Sequence, residues 1–232
     1  MKTSMKNATS ALNAASLMKP TGNRGLRLFS LKPHARRVAA LAFFLLMFAV
    51  VGFASDTQPE NEVRQQFAAG GQIHMDLSSG GYTIRGGDTN EIIITYHATS
   101  EEQLRDIKAG VHVTGSIARV NISGTPHNNF RAEIEVPRQS ALKVEMFAGE
   151  VVIRDVTGDK DVHLTSGRVE IQIPNPDEYG PREASVTAGS IEATAFNVSK
   201  GGLFRSFEQS GRGKYRLRAH VTTGQIDLRG TN

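Results

Sequence analysis

The residues best suited to chemistry recur at fixed distances from five glycines: Gly80, Gly149, Gly167, Gly189 and Gly224. Four positions before each stand Asp76, Glu145, His163, Ser185 and His220, and three positions after each stand Thr83, Val152, Glu170, Glu192 and Asp227. If the copies stack as neighbouring strands, side chains in one register lie about 4.8 Å apart. Glu145 beside His163 would then suit a shared metal, and Glu170 beside Glu192 a hard cation such as calcium. Outward-facing acids are more often a solvated face, and calcium loops gather their acids and carbonyls within one turn, a pattern not found here. No metal and no cofactor is therefore assigned. Glu170, Glu192 and Asp227 stand as a candidate binding surface.

A second set lies near the C-terminus. Lys214, Arg216 and Arg218 alternate with Tyr215, Leu217 and Ala219. Such a strand could offer cations to anionic glycans or lipid headgroups. The plainer reading turns the apolar face inward and pairs the cations with acids on a neighbouring strand. These three cations join the candidate surface on that understanding.

Enzyme signatures are sparse. The chain has no G-x-S-x-G elbow, no H-E-x-x-H, no phosphate-binding loop and no cysteine. Glycoside hydrolysis needs two carboxyl groups at a defined separation across the bond to be cut, and spacing in sequence does not supply that. No catalytic residue is assigned, and a polysaccharide-active enzyme ranks last among the hypotheses.

The elements that must position these residues read as short strands. Five and three places before the glycines come apolar pairs such as Val144/Met146 and Val162/Leu164. Two and four places after come Val151/Ile153 and Val169/Ile171. Period-two patterning puts such residues on one face, and glycine between them permits a sharp bend or a positive φ. The last four glycines are 18, 22 and 35 residues apart. Spacings near 20 suit the rungs of a solenoid. The predicted fold is all-β: a right-handed β-helix or β-roll-like solenoid with glycine corners, with a β-sandwich as the alternative. The 35-residue gap holds either a degenerate rung or a long loop. One short helix is predicted in "SEEQLRDIKAG", with a capping box of Ser100 and Gln103 at its start and Gly110 at its end. It would cap one end of the stack.

Charge separates the leader from the rest. Residues 1–54 carry eight of the 27 Lys/Arg and none of the 23 Asp/Glu, which leaves 19 − 23 = −4 for residues 55–232. The acidic balance argues against a general nucleic-acid-binding domain. Within the leader, a basic region ends in "KPHARR" and 17 uncharged residues follow, Val38 to Ala54. This is the layout of a signal segment, with small residues Gly52 and Ala54 ahead of a cut between Ala54 and Ser55. An uncleaved single-pass anchor, touching the membrane through residues 38–54, is the alternative, and Met18 is an alternative start. Either way residues from 55 onward belong outside the cytoplasm. The division is leader 1–54, polar linker 55–68 and β domain 69–232.

The run "VPRQSALKVEMFAGEVVIRDVTGDKDVHLTSGRVEI" resembles the core of the bacterial putative-adhesin domain family, a domain of unknown function. The matching positions are Pro137, Leu142 to Val144, Ala148-Gly149, Gly158-Asp159, Val162 to Leu164 and Ser166-Gly167. The tail "GGLFRSFEQSGRGKYRLRAHVTTGQIDLRG" is similar to the C-terminal ends of some members, and the likeness spans about residues 70–230. Ala148 stands where the family usually has Ser, and Phe147 is bulky where small polar residues are common. The resemblance implies an exported, β-helix-like envelope domain and brings no catalytic residues with it. The leading functional expectation is a non-enzymatic surface module for binding or adhesion, with an envelope ligand, a glycan among the candidates. A membrane-tethered structural or sensing domain is the second. Neither the ligand nor the oligomeric state is readable from the sequence.

Overall fold

The structure, a computed structural model, describes residues 60–126 and 129–230. The leader, the hydrophobic segment 38–54 and the Ala54/Ser55 cut lie outside the described residues. Twelve strands form one sheet. They are β1 (Glu60–Gln66), β2 (Gln72–Leu77), β3 (Gly80–Gly87), β4 (Glu91–His97), β5 (Lys108–Thr114), β6 (Ile117–Ser123), β7 (Arg131–Pro137), β8 (Ala141–Arg154), β9 (Lys160–Ile173), β10 (Tyr179–Ala193), β11 (Val198–Gln209) and β12 (Tyr215–Gly230). A single α-helix among the described residues, α1 (Glu101–Asp106), joins β4 to β5.

The long strands fold over at their glycines. In β8, Leu142, Val144 and Met146 are buried before Gly149, and Val151 and Ile153 after it. Alternate side chains of a straight strand face opposite ways, so burying even positions and then odd ones in one core requires a turn-over between them. β9, β10 and β12 make the same switch, for example Leu217, Ala219 and Val221 before Gly224 but Ile226 and Leu228 after it. The two halves of each strand thus line opposite sides of one continuous apolar core. β2 and β3 form a divided version of the same unit: β2 pairs with the first half of β8 and β3 with the second.

The glycines stack in a column: Gly80 on Gly149, Gly149 on Gly167, Gly167 on Gly224 and Gly224 on Gly189. The last four have φ between +125° and +143°, a conformation that a β-carbon resists. A Cβ at any of them would also collide with the carbonyl oxygen of the glycine beside it.

The order of the column corrects the expected one. A coil of successive rungs would set β10 on β9, but β9 pairs with β12, and β12 pairs with β10. The reason is β11, which fills the 35-residue gap. It folds back antiparallel along β10 from Ala193 to Arg182 and occupies that side, so β12 inserts on the other, parallel to both β9 and β10.

Two boundaries also move. Residues 60–66, expected within the linker, form β1 antiparallel to β4. The polar sequence ENEVRQQ suits an edge strand, where charges discourage further pairing. The helix is shorter than expected: it ends at Asp106, and Gly110 lies inside β5. Its start is as read, with the Gln103 N–H donating to Ser100 Oγ at 3.3 Å. The Gln103 side chain accepts from the Thr99 N–H, one residue earlier than a regular capping box. Leu104 and Ile107 join the core, which holds this helix of less than two turns in place.

Candidate functional site

The first halves of the strands carry a band of polar side chains on their outer face. Register sets Asn121, Asp76, Glu145, His163, His220 and Ser185 side by side on β6, β2, β8, β9, β12 and β10. A parallel row two residues back holds Lys143 and Asp161 and continues, outside the groove, through Arg218 and Glu183. Between the band and the glycine corner lies an open groove of about 910 Å³, lined by Asp76, Glu145, Phe147, His163, Thr165 and His220 among others. Phe147 is 69% exposed on its margin, one of four exposed large apolar side chains among the described residues and the one that borders this groove.

The groove holds a definite charge pattern. Lys143 Nζ lies 2.7 Å from Glu145 Oε1. That hydrogen bond, with the attraction between the charges, holds the Glu145 carboxyl below its ordinary range and the Lys143 ammonium above its own. His163 Nε2 donates to Asp161 Oδ1 at 2.9 Å. Ser185 Oγ and His220 Nδ1 are 2.9 Å apart, and the two imidazole rings are 5.9 Å between centres. Glu145 and His163 do stand in register, as expected, but each is engaged by a residue of its own strand. Among the described residues no group of three or more His, Asp or Glu is placed to hold a metal ion.

The expected acidic surface on the second halves is differently built. Because β12 sits between β9 and β10, Asp227 separates Glu170 from Glu192. Asp227 is only 2% exposed. It accepts from Arg168 Nε at 2.6 Å and from Gln225 Nε2 at 2.8 Å. Arg154, Arg168 and Arg229 approach Glu170 at 3.9, 3.4 and 3.6 Å, and Ser199 Oγ donates to Glu192 at 2.9 Å. Three arginines thus cover two of the three acids, and the third is hydrogen-bonded.

On the basic strand the apolar side chains turn inward and one of the three cations pairs with an acid. Leu217 and Ala219 are buried, and Arg218 Nε pairs with Glu183 at 3.2 Å. The backbone N–H of Arg216 donates to Asp159 Oδ1 at 2.8 Å while its side chain is exposed. Lys214 Nζ lies 5.1 Å from the centre of the Tyr215 ring. The site residues that sequence reasoning passed over are Phe147, Lys143 and Asp161. Phe147 was visible only as a bulky departure from the family pattern.

No family model matches the sequence, and no curated protein matches it. Among solved structures, a protein called a putative cell adhesion protein from Clostridium sporogenes ATCC 15579 is 13% identical. The match covers 75% of this chain and all of that one, with a TM-score of 0.47. A putative adhesin from Bacteroides fragilis NCTC 9343 is 10% identical, over 75% of this chain and 97% of that one, at a TM-score of 0.29. One from Parabacteroides merdae ATCC 43184 is 13% identical, over 74% and 94%, at 0.26. These likenesses are remote.

Proposed function

We propose that the protein is a non-enzymatic binding module of the cell envelope that takes its ligand in the groove beside Phe147. The observation that carries this reading is the exposure of Phe147 next to the register-aligned row of Asp76, Glu145, His163 and His220. An exposed ring beside ordered polar groups suits recognition through stacking and hydrogen bonds. The same groove is poorly equipped for hydrolysis. A general acid needs a carboxyl held protonated, whereas Lys143 keeps Glu145 ionised. The hydrophobic leader segment supports export, and the in-register glycine column supports a β-roll-like stack with one rung inserted out of sequence.

The test is retention of the exported protein on insoluble cell-wall and extracellular polysaccharides, scored together with release of soluble fragments. Retention without cleavage, abolished in F147A and kept in R216A/R218A, is expected. Retention lost in R216A/R218A but not in F147A would move the site to β12. Release of fragments would make the protein an enzyme.

A further inference from the structure

The groove does not end at its main hollow. A second hollow of about 320 Å³ shares Asp76, Asn121, Lys143 and Glu145 with it. A third, of about 390 Å³, shares Arg119 and Asn121 with the second and reaches β5. Together they run over β12, β9, β8, β2, β6 and β5, which are consecutive neighbours in the sheet. Six strands give five spacings, a trough about 24 Å long lying perpendicular to the strands. A ligand filling it must be long and narrow. It meets a fresh set of polar side chains at each strand.

The repeat of the trough discriminates between polymers. Strands are spaced at about 4.7–4.9 Å, while an extended peptide advances about 3.3–3.4 Å per residue and falls out of step at once. The outer edge of β5 is unpaired at the end of the trough, but a peptide added there would run along the strands and not across them, so strand addition does not fill the trough. In the main hollow Asp76, Glu145 and Asp161 face a single ammonium, Lys143, and Arg119 and Lys108 in the two smaller hollows only balance these acids, so the trough has no net positive charge to hold a polyanion along its length. The Asp76 side chain makes no hydrogen bond or ion pair among the described residues and the residue is exposed, so its carboxylate is free to accept. A pyranose ring with its bridging oxygen is close in length to one strand spacing. Its hydroxyls donate to carboxylates and exchange hydrogen bonds with Asn and His side chains. Its C–H face can lie on Phe147, which stands on β8 in the middle of the trough.

Resting on the binding-module reading, we infer that the ligand is a linear glycan without acidic groups, laid across the strands with about one sugar per strand and one ring stacked on Phe147. The probes are cello- and chito-oligosaccharides from disaccharide to octasaccharide, with oligogalacturonides as the acidic control, titrated calorimetrically into the exported protein. Affinity for one neutral series should rise with each added sugar up to about the hexasaccharide and then level off. F147A should weaken every length from the trisaccharide up by about tenfold, and F147W should keep binding. Equal affinity for disaccharide and octasaccharide, preference for the galacturonides, or an F147A protein that binds as tightly as the parent would each overturn the inference. If polysaccharide retention through Phe147 survives while the length series is flat, only the one-sugar-per-strand arrangement falls. If neither retention nor oligosaccharide binding occurs, the binding-module reading falls with it.

Discussion

Gly189 stacks on Gly224, not on Gly167, although Gly167 precedes it in sequence. A Cβ at Gly189 would collide with the Gly224 carbonyl oxygen, and φ there is +141°. G189A and G224A should therefore each cost more than about 3 kcal/mol, since the obstacle is backbone with no flexible tip to yield. Gly110 has nothing within 4 Å of a Cβ, and G110A should change stability by less than about 1 kcal/mol. Urea unfolding of the three variants checks this contrast. A mild G189A would contradict the column.

Lys160 gives the protein an alkaline signature. It is 1% exposed, donates to the carbonyls of Val156 and Gly158 at 2.8 and 3.2 Å, and bonds Tyr179 Oη. Burial is the main cause that pushes its ammonium from 10.5 down to about 8. A base whose value is lower folded than unfolded binds fewer protons in the folded state between those values, so stability rises with pH across that window. The full span corresponds to about 3 kcal/mol at about 1.4 kcal/mol per tenfold. Burial pushes the Tyr82 and Tyr179 hydroxyls above their ordinary value of 10. The folded state then holds protons the unfolded state has lost, and stability falls again at higher pH. Unfolding free energies should climb from about pH 8 towards pH 10 in the parent and stay level in K160M. A parent whose stability is level or falling in that interval would contradict the account.

Calcium should leave the protein unmoved. Arg154, Arg168 and Arg229 already neutralise Glu170 and Asp227. Melting temperatures with calcium and with chelator should agree. Removing Arg168 should instead matter, because Asp227 is buried and would keep Gln225 as its nearest donor. R168A should cost about 2 kcal/mol, the scale of a lost hydrogen bond to a charged group, since Asp227 keeps Arg229 at 4.0 Å. A calcium-dependent rise in the melting temperature of the parent would restore the cation site.

β11 closes its end of the sheet with charges that face the core side. Lys200 pairs in register with buried Ile191 and Arg205 with buried Val186. Their heads turn back onto carbonyls of their own strand: Lys200 Nζ to Ser206 at 2.8 Å and Arg205 Nε to Gly201 at 2.9 Å. Inward charges on an edge strand oppose further strand addition. K200V/R205V should associate with rising concentration in light scattering while the parent does not change. A double variant that stays at the parent's mass would show that the edge is protected by other means.

The sequence made the corners legible because each copy states the same phrase around a glycine. It also made the cap at Ser100 legible, since that signal is local. The order of β10 and β12 was hidden for the same reason the corners were visible: Gly167, Gly189 and Gly224 carry equivalent patterns, so any pairing satisfies them. Only the antiparallel course of β11 decides it, and that is a long-range fact. The acids Glu170 and Asp227 read as open because the arginines that cover them come partly from neighbouring strands. Phe147 reads as a departure from a pattern, and its meaning appears once the groove beside it exists.

The most direct test of the binding groove is to follow backbone-amide and side-chain NMR signals of the exported protein, imidazole and aromatic rings included, while a neutral hexasaccharide is added. The account predicts saturable shifts in His163, His220 and Phe147, with Arg216, Arg218 and Glu192 unmoved. Shifts confined to Arg216, Arg218 or Glu192, with the His163 and His220 rings silent, would contradict it.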